Sequence, residues 1–75
     1  MLEIGEKIKR RRVSLGLTQE ELAARVELSK GFISQVERDL TSPSIATLTD
    51  ILEALGMSLA DFFSQEDTNE KVVFG

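Results

Sequence analysis

The 75-residue chain contains no cysteine and no histidine. Disulfides and His/Cys metal sites are therefore excluded as staples, and the composition is compatible with a reducing cytoplasm. Tyrosine is absent too, so catalysis would have to rest on carboxylates, lysines or hydroxyls. The Asp and Glu positions are explained by helix caps, solvated surface or one internal ion pair, so no enzyme, cofactor or metal is expected. No apolar run approaches the roughly 20 residues of a membrane helix, and the start lacks the apolar core of a signal peptide. The sequence reads as a cytoplasmic protein that does not enter a membrane.

A chain of this length forms one domain with a small core, because short chains bury a lower fraction of their surface than long ones. The net charge of −4 argues at first against a nucleic-acid partner. Its distribution reverses that impression: Met1–Arg38 holds eight basic and six acidic residues, whereas Asp39–Gly75 holds one basic and seven acidic. An acidic half that faces away from a duplex is tolerable, since physiological salt screens charge over about 8 Å.

The most informative stretch is Thr18–Arg38, TQEELAARVELSKGFISQVER. Leu22, Ala23 and Val26 share one helical face, and Thr18 with Glu21 forms a capping box, so a helix is expected from Gln19 to Val26. Ser29 is a good N-cap for a second helix, Lys30 to about Arg38, with Ile33, Val36 and Glu37 inward. Only Glu27 and Leu28 separate the two, which forces a steep crossing, that of a helix-turn-helix. Ala23 or Ala24 supplies the small residue at the crossing, and Leu28 can plug the angle. Lys30, Gly31, Phe32, Ser34, Gln35 and Arg38 remain outward, and none is acidic. Such a face suits phosphate oxygens and base edges in a DNA major groove.

Gly16-Leu17-Thr18-Gln19-Glu20-Glu21-Leu22-Ala23, Leu28-Ser29 and Ile33-Ser34-Gln35-Val36-Glu37-Arg38 together resemble the phage repressor and Cro family of bacterial regulators, the xenobiotic-response-element type. Pro43 to Leu48 and Ala54 to Leu59 match the same family, so the resemblance covers about Ile4 to Phe63. It implies a compact, all-α, five-helix lambda-repressor-like fold. It also implies a phosphate contact from Gln19 and an internal ion pair between Arg12 and Glu37. Two departures stand out. Arg11 occupies a position where the family often has leucine, and Glu27 stands where glycine is common.

The first helix is expected from Glu3 to about Leu15, with Ile4, Ile8, Arg11 or Arg12, and Leu15 on its inward stripe. A charge on that line needs a partner, and Glu37 has the same need; their pairing would answer both, the alternative being that both charges snorkel to solvent at the edge of a small domain. Lys9, Arg10 and Arg11 at the helix end suit the helix dipole. The stem of Arg11 is expected to cover core surface while its head stays wet, near DNA phosphates. Gly16 ends the helix. A left-handed Glu27 would cost roughly 1–2 kcal/mol.

On the second helix of the motif, Ser29 and Lys30 lie at the N-terminal end, where such helices meet base edges. Lys30 could donate to guanine O6 or N7, and Gln35 could pair with adenine N6 and N7. Gly31 has no side chain to read a base but could allow close backbone approach. Phe32 could touch thymine methyls or form a core edge, while Ser34 and Arg38 suit phosphates. Thr41 and Ser42, in the loop before Pro43, could meet the DNA backbone, or the loop could be a plain connection; Leu40 is expected inward.

Helix 4 starts at Ser44, with Ile45, Leu48, Ile51, Leu52 and Leu55 as its apolar stripe, and ends at Gly56. Ser58 with Asp61 caps a short fifth helix, Leu59–Phe63. Of Phe62 and Phe63, one should seal the core and the other could serve self-association. Residues 1–64 thus form the helix-turn-helix domain, and 65–75 an acidic linker or tail. Val72-Val73-Phe74 would be a strand seeking a partner. By resemblance, such a linker could lead into an effector-sensing domain of cupin type. The function expected is binding of double-stranded DNA by a homodimer on a palindromic operator, as a transcriptional repressor. The alternative is a protein-interaction module, such as an antitoxin or a coactivator bridge.

Overall fold

The computed structural model describes residues 4–64; the expected linker, tail and Val72-Val73-Phe74 strand lie outside them. Four helices, α1 (Ile4–Ser14), α2 (Gln19–Arg25), α3 (Lys30–Glu37) and α4 (Ile45–Ala54), are followed by a short α5 over residues 59–64. No strand occurs among the described residues, and no helix there is long and apolar enough to cross a membrane. The core comprises Ile8, Leu22, Ala23, Ile33, Val36, Leu48, Ile51, Leu52, Leu55 and Phe62. At the crossing of α2 and α3 it is Ala23, not the exposed Ala24, that is buried.

The helix starts follow the expected caps. The Thr18–Glu21 box is reciprocal: Glu21 N donates to Thr18 Oγ1 at 3.0 Å and Thr18 N to Glu21 Oε1 at 2.8 Å. Ser29, Ser44 and Ser58 accept from the amides of Phe32, Thr47 and Asp61 at 3.0, 3.1 and 3.0 Å. Each satisfies an amide that the helix itself leaves open.

The helix ends share one solution. After α1, α2, α3 and α4 the chain enters the left-handed region at Gly16, Glu27, Asp39 and Gly56, with φ between 59° and 76°. In each case the next residue donates its amide five residues back: Leu17 to Arg12, Leu28 to Ala23, Leu40 to Gln35 and Met57 to Leu52. These are Schellman endings, in which the residue after the left-handed one is commonly apolar and packs back on the helix. Leu17, Leu28 and Met57 do pack against the core.

Three apolar residues expected inward are exposed: Leu15 (45%), Leu40 (63%) and Ile45 (67%). Leu15 lies where α1 is already ending, and Leu17 takes the core position after the turn. Leu40 follows the end of α3, where the first turn of α1 is already seated; a Cβ on Gly5 would lie 2.4 Å from the Val36 carbonyl oxygen and 2.6 Å from that of Glu37. Ile45 is the first residue of α4 and precedes the stretch, from Leu48 onward, that the core covers.

Asp39 does more than turn the chain. Its Oδ1 accepts from Gly5 N at 3.1 Å, tying the start of α1 to the end of α3. Glu27 has no such role. Replacing Glu27 by Gly should relieve about 1–2 kcal/mol of left-handed strain against roughly 0.5–1 kcal/mol of added chain entropy. A gain in melting temperature of about 4 °C follows for a domain of this size. Asp39→Gly should instead lower it, because a charge-assisted hydrogen bond is lost. Thermal unfolding of both variants by circular dichroism checks this, and equal responses would contradict the difference in roles.

Candidate nucleic-acid interface

The site is built around a buried charge pair. Arg12, 9% exposed, projects from the inward stripe of α1 towards Glu37, 5% exposed, at the last turn of α3. The contact is bidentate: Nε donates to Oε2 at 2.6 Å and Nη2 to Oε1 at 3.0 Å. Arg12 Nη1 donates further to the Leu17 carbonyl at 2.7 Å, and Gln19 Nε2 donates to Glu37 Oε1 at 3.0 Å. No buried side-chain nitrogen or oxygen among the described residues lacks a partner. A single network thus fixes α1, the turn before α2, the first residue of α2 and the end of α3.

This arrangement bears out the Arg12–Glu37 pairing and alters the picture of Gln19. Its amide nitrogen is engaged inward with Glu37; one amide hydrogen remains for an outside acceptor. Arg11 also differs from expectation. Its head is not free in water but donates from Nε to the Leu55 carbonyl at 3.0 Å, because the chain's turn at Gly56 brings the end of α4 against α1. One turn earlier Lys7 Nζ donates to the Phe62 carbonyl at 2.5 Å and lies 4.6 Å from the centre of that ring. Two cations of α1 therefore hold carbonyls of the elements that follow: Arg11 that of Leu55 at the end of α4, where the helix dipole is negative, and Lys7 that of Phe62.

The outward face of α3 is as the residue types implied. Lys30, Gly31, Gln35 and Arg38 are exposed, and Ser34 is half-buried. Ser29 is exposed but its Oγ already accepts the Phe32 amide. Phe32 is half-buried, with one side packed on the core. Beyond α3, Ser42 is exposed and Thr41 half-buried. Phe62 seals the core, and Phe63 is half-buried against it rather than free.

The acidic half of the chain lies partly beside the far end of α2. Asp50 and Glu53 of α4 line a cleft of about 570 Å³ with Arg25 and Glu27. The seven residues of α2, at about 1.5 Å each, put roughly 10 Å between that end and the amides at its start. That separation exceeds a physiological screening length.

Gly5, Lys7 and Asp39 hold the frame without standing out in the sequence. Asp39 carried a usable signal, since Asp and Asn tolerate the left-handed region better than most residues. Gly5 carried none, because its need arises from a main chain more than thirty positions away.

Comparison with known proteins agrees with this geometry. Residues 8–62 match the profile of the helix-turn-helix family. The chain is 36% identical over 64 residues to the HTH-type transcriptional regulator y4dJ of Sinorhizobium fredii, covering 85% of this chain and 83% of that protein. It is 34% identical over 65 residues to the immunity repressor of Bacillus phage phi105, covering 87% of this chain but 45% of the repressor. The chain therefore spans less than half the length of that relative. Among solved structures it is similar to the restriction-modification controller protein C.Esp1396I, a tetramer in complex with its natural 35 base-pair operator. That match has a TM-score of 0.77 and 33% identity, and covers 84% of this chain and 83% of that one.

The network ranks its members by what each removal leaves behind. Arg12→Ala strands a buried carboxylate and should cost about 3–5 kcal/mol, a large share of the roughly 4–11 kcal/mol expected for a domain of this size. Gln19→Ala leaves the ion pair intact and should cost about 1 kcal/mol. Urea denaturation separates the two, and equal losses would contradict a network centred on Arg12 and Glu37.

Proposed function

The chain belongs to the helix-turn-helix family, and on that premise we propose that it binds double-stranded DNA sequence-specifically as a homodimer. In this reading it represses transcription from a palindromic operator. The observation that carries the reading is the outer face of α3: Lys30, Gln35 and Arg38 are exposed and non-acidic, and their side chains make no hydrogen bond or ion pair among the described residues. The inner face of the same helix is fixed by a satisfied buried ion pair. A rigid helix with an uncommitted polar face is what groove reading requires.

The roles follow from position. Lys30, at the N-terminal end of α3, donates to guanine O6 or N7, and Gln35, just over a turn later, pairs with adenine. Ser34, Arg38, Thr41 and Ser42 hold phosphates along one flank. On the other flank Gln19 offers its second amide hydrogen at the start of α2, where the helix N-terminus also favours an anion. Ser29 keeps its hydroxyl proton for a phosphate while its lone pair caps α3, and the open edge of Phe32 meets a sugar or a thymine methyl.

In two-fold symmetry the recognition helices stand about 34 Å apart, one turn of the duplex. Residues 1–64 form the DNA-binding unit in this reading. The action is stoichiometric occupation of DNA in the cytoplasm, with no catalytic step and no cofactor.

Binding to a pool of random duplexes across a salt series tests this. The parent chain should enrich a palindrome, and Lys30→Ala with Gln35→Ala should abolish that preference. With Arg38 on a phosphate in each subunit, the dimer neutralises two phosphates by this side chain. The slope of log K against log salt should then be at least as steep as roughly −2. Arg38→Ala should make it shallower by about one unit per subunit without changing the selected sequence. Absence of binding at low salt would sink the assignment and direct attention to a protein partner.

A further inference from the structure

Four glycines lie among the described residues, and three have a reason inside the protein. Gly16 and Gly56 occupy the left-handed region at φ 74° and 76°. At Gly5 a Cβ would lie 2.4 Å from a main-chain oxygen of α3. Gly31 has neither reason. It is the second residue of α3, it is exposed and its φ is not positive. A Cβ there would meet only the Ser29 Oγ, at 3.9 Å. Glycine is a poor helix residue, and alanine at a compatible exposed position ordinarily stabilises a fold. Nothing among the described residues accounts for the missing side chain.

We propose that Gly31 is a specificity-determining residue through the side chain it lacks: base edges of the operator occupy the space that a Cβ would take. This deepens, and rests on, the DNA-binding reading given above. The position suits the role. Gly31 lies between the exposed Lys30 and the half-buried Phe32, in the first turn of α3. The Ser29 hydroxyl caps the Phe32 amide, so the amides of Lys30 and Gly31 open outward from the first turn as donors. A bare main chain lets the helix settle deeper at this one point. Two groups then come into contact range: a base acceptor for the Gly31 amide, and a thymine methyl for its Cα. Both are base-edge features of the major groove and therefore carry sequence information.

Gly31→Ala is the decisive variant, because it separates folding from reading in opposite directions. Its melting temperature should rise by a few degrees, on the order of 4 °C. Its affinity for the palindrome selected by the parent chain should fall at least about tenfold, with little change in affinity for random duplex at the same salt. Selection from the random pool with this variant should recover a site altered at the base pairs facing the start of α3. Gly31→Ser, with a larger side chain, should lose at least as much.

An alanine variant that keeps operator affinity and selectivity would overturn the proposal. So would one that weakens operator and random duplex equally, since that places a phosphate, not a base edge, against Gly31. Failure of the parent chain itself to select a sequence is a separate result, which removes the DNA-binding reading before Gly31 is tested.

Discussion

The frame depends on one carboxylate. Glu37 faces the interior of a small domain, where an uncompensated charge would be severely destabilising. It is made tolerable by three hydrogen bonds from two side chains: two from Arg12 and one from Gln19. Each donor belongs to a helix whose placement matters for α3, so satisfying the charge and orienting the helix are the same event. Apolar packing at Ile33 and Val36 holds α3 down, but packing alone is tolerant of small rotations. A bidentate arginine is not.

The second constraint is brevity. Helices of seven to eleven residues are marginal alone and owe their stability to caps and to tertiary contact. All four of the longer helices use the left-handed ending, and it matters most after α2, where only four residues, 26–29, separate the two helical spans of the motif. There the fold accepts Glu27 in a conformation more natural to glycine. After α3 it accepts Asp39, whose carboxylate offsets the strain by receiving the Gly5 amide.

Much of this was legible in the residues, and the limits were physical. Caps are local, so Thr18, Ser29, Ser44 and Ser58 could be read directly. The Arg12–Glu37 pair was legible because two charges interrupted apolar stripes and the family resemblance implied that they meet. Leu15, Leu40 and Ile45 misled for a common reason. Periodicity says which way a side chain points but not whether a neighbour reaches that far along the helix, and all three lie at helix margins. Arg11 and Gln19 misled because carbonyls and carboxylates contributed by distant elements captured them. The candidate polar residues on α3 were singled out by what they are not, neither apolar nor acidic, and the structure adds that the side chains of Lys30, Gln35 and Arg38 make no hydrogen bond or ion pair among the described residues.

That last property bears on how a family of this kind can diversify. Glu37, Ile33 and Val36 hold α3 from within, while Lys30, Gly31, Gln35 and Arg38 are exposed and contribute no packed core residue. In the proposed DNA-binding role, the groove-facing side chains are therefore separable from the residues that hold the fold together. Substitutions of the former can accumulate at little expense to folding, and a new operator preference can be explored by single steps without passing through an unfolded intermediate sequence.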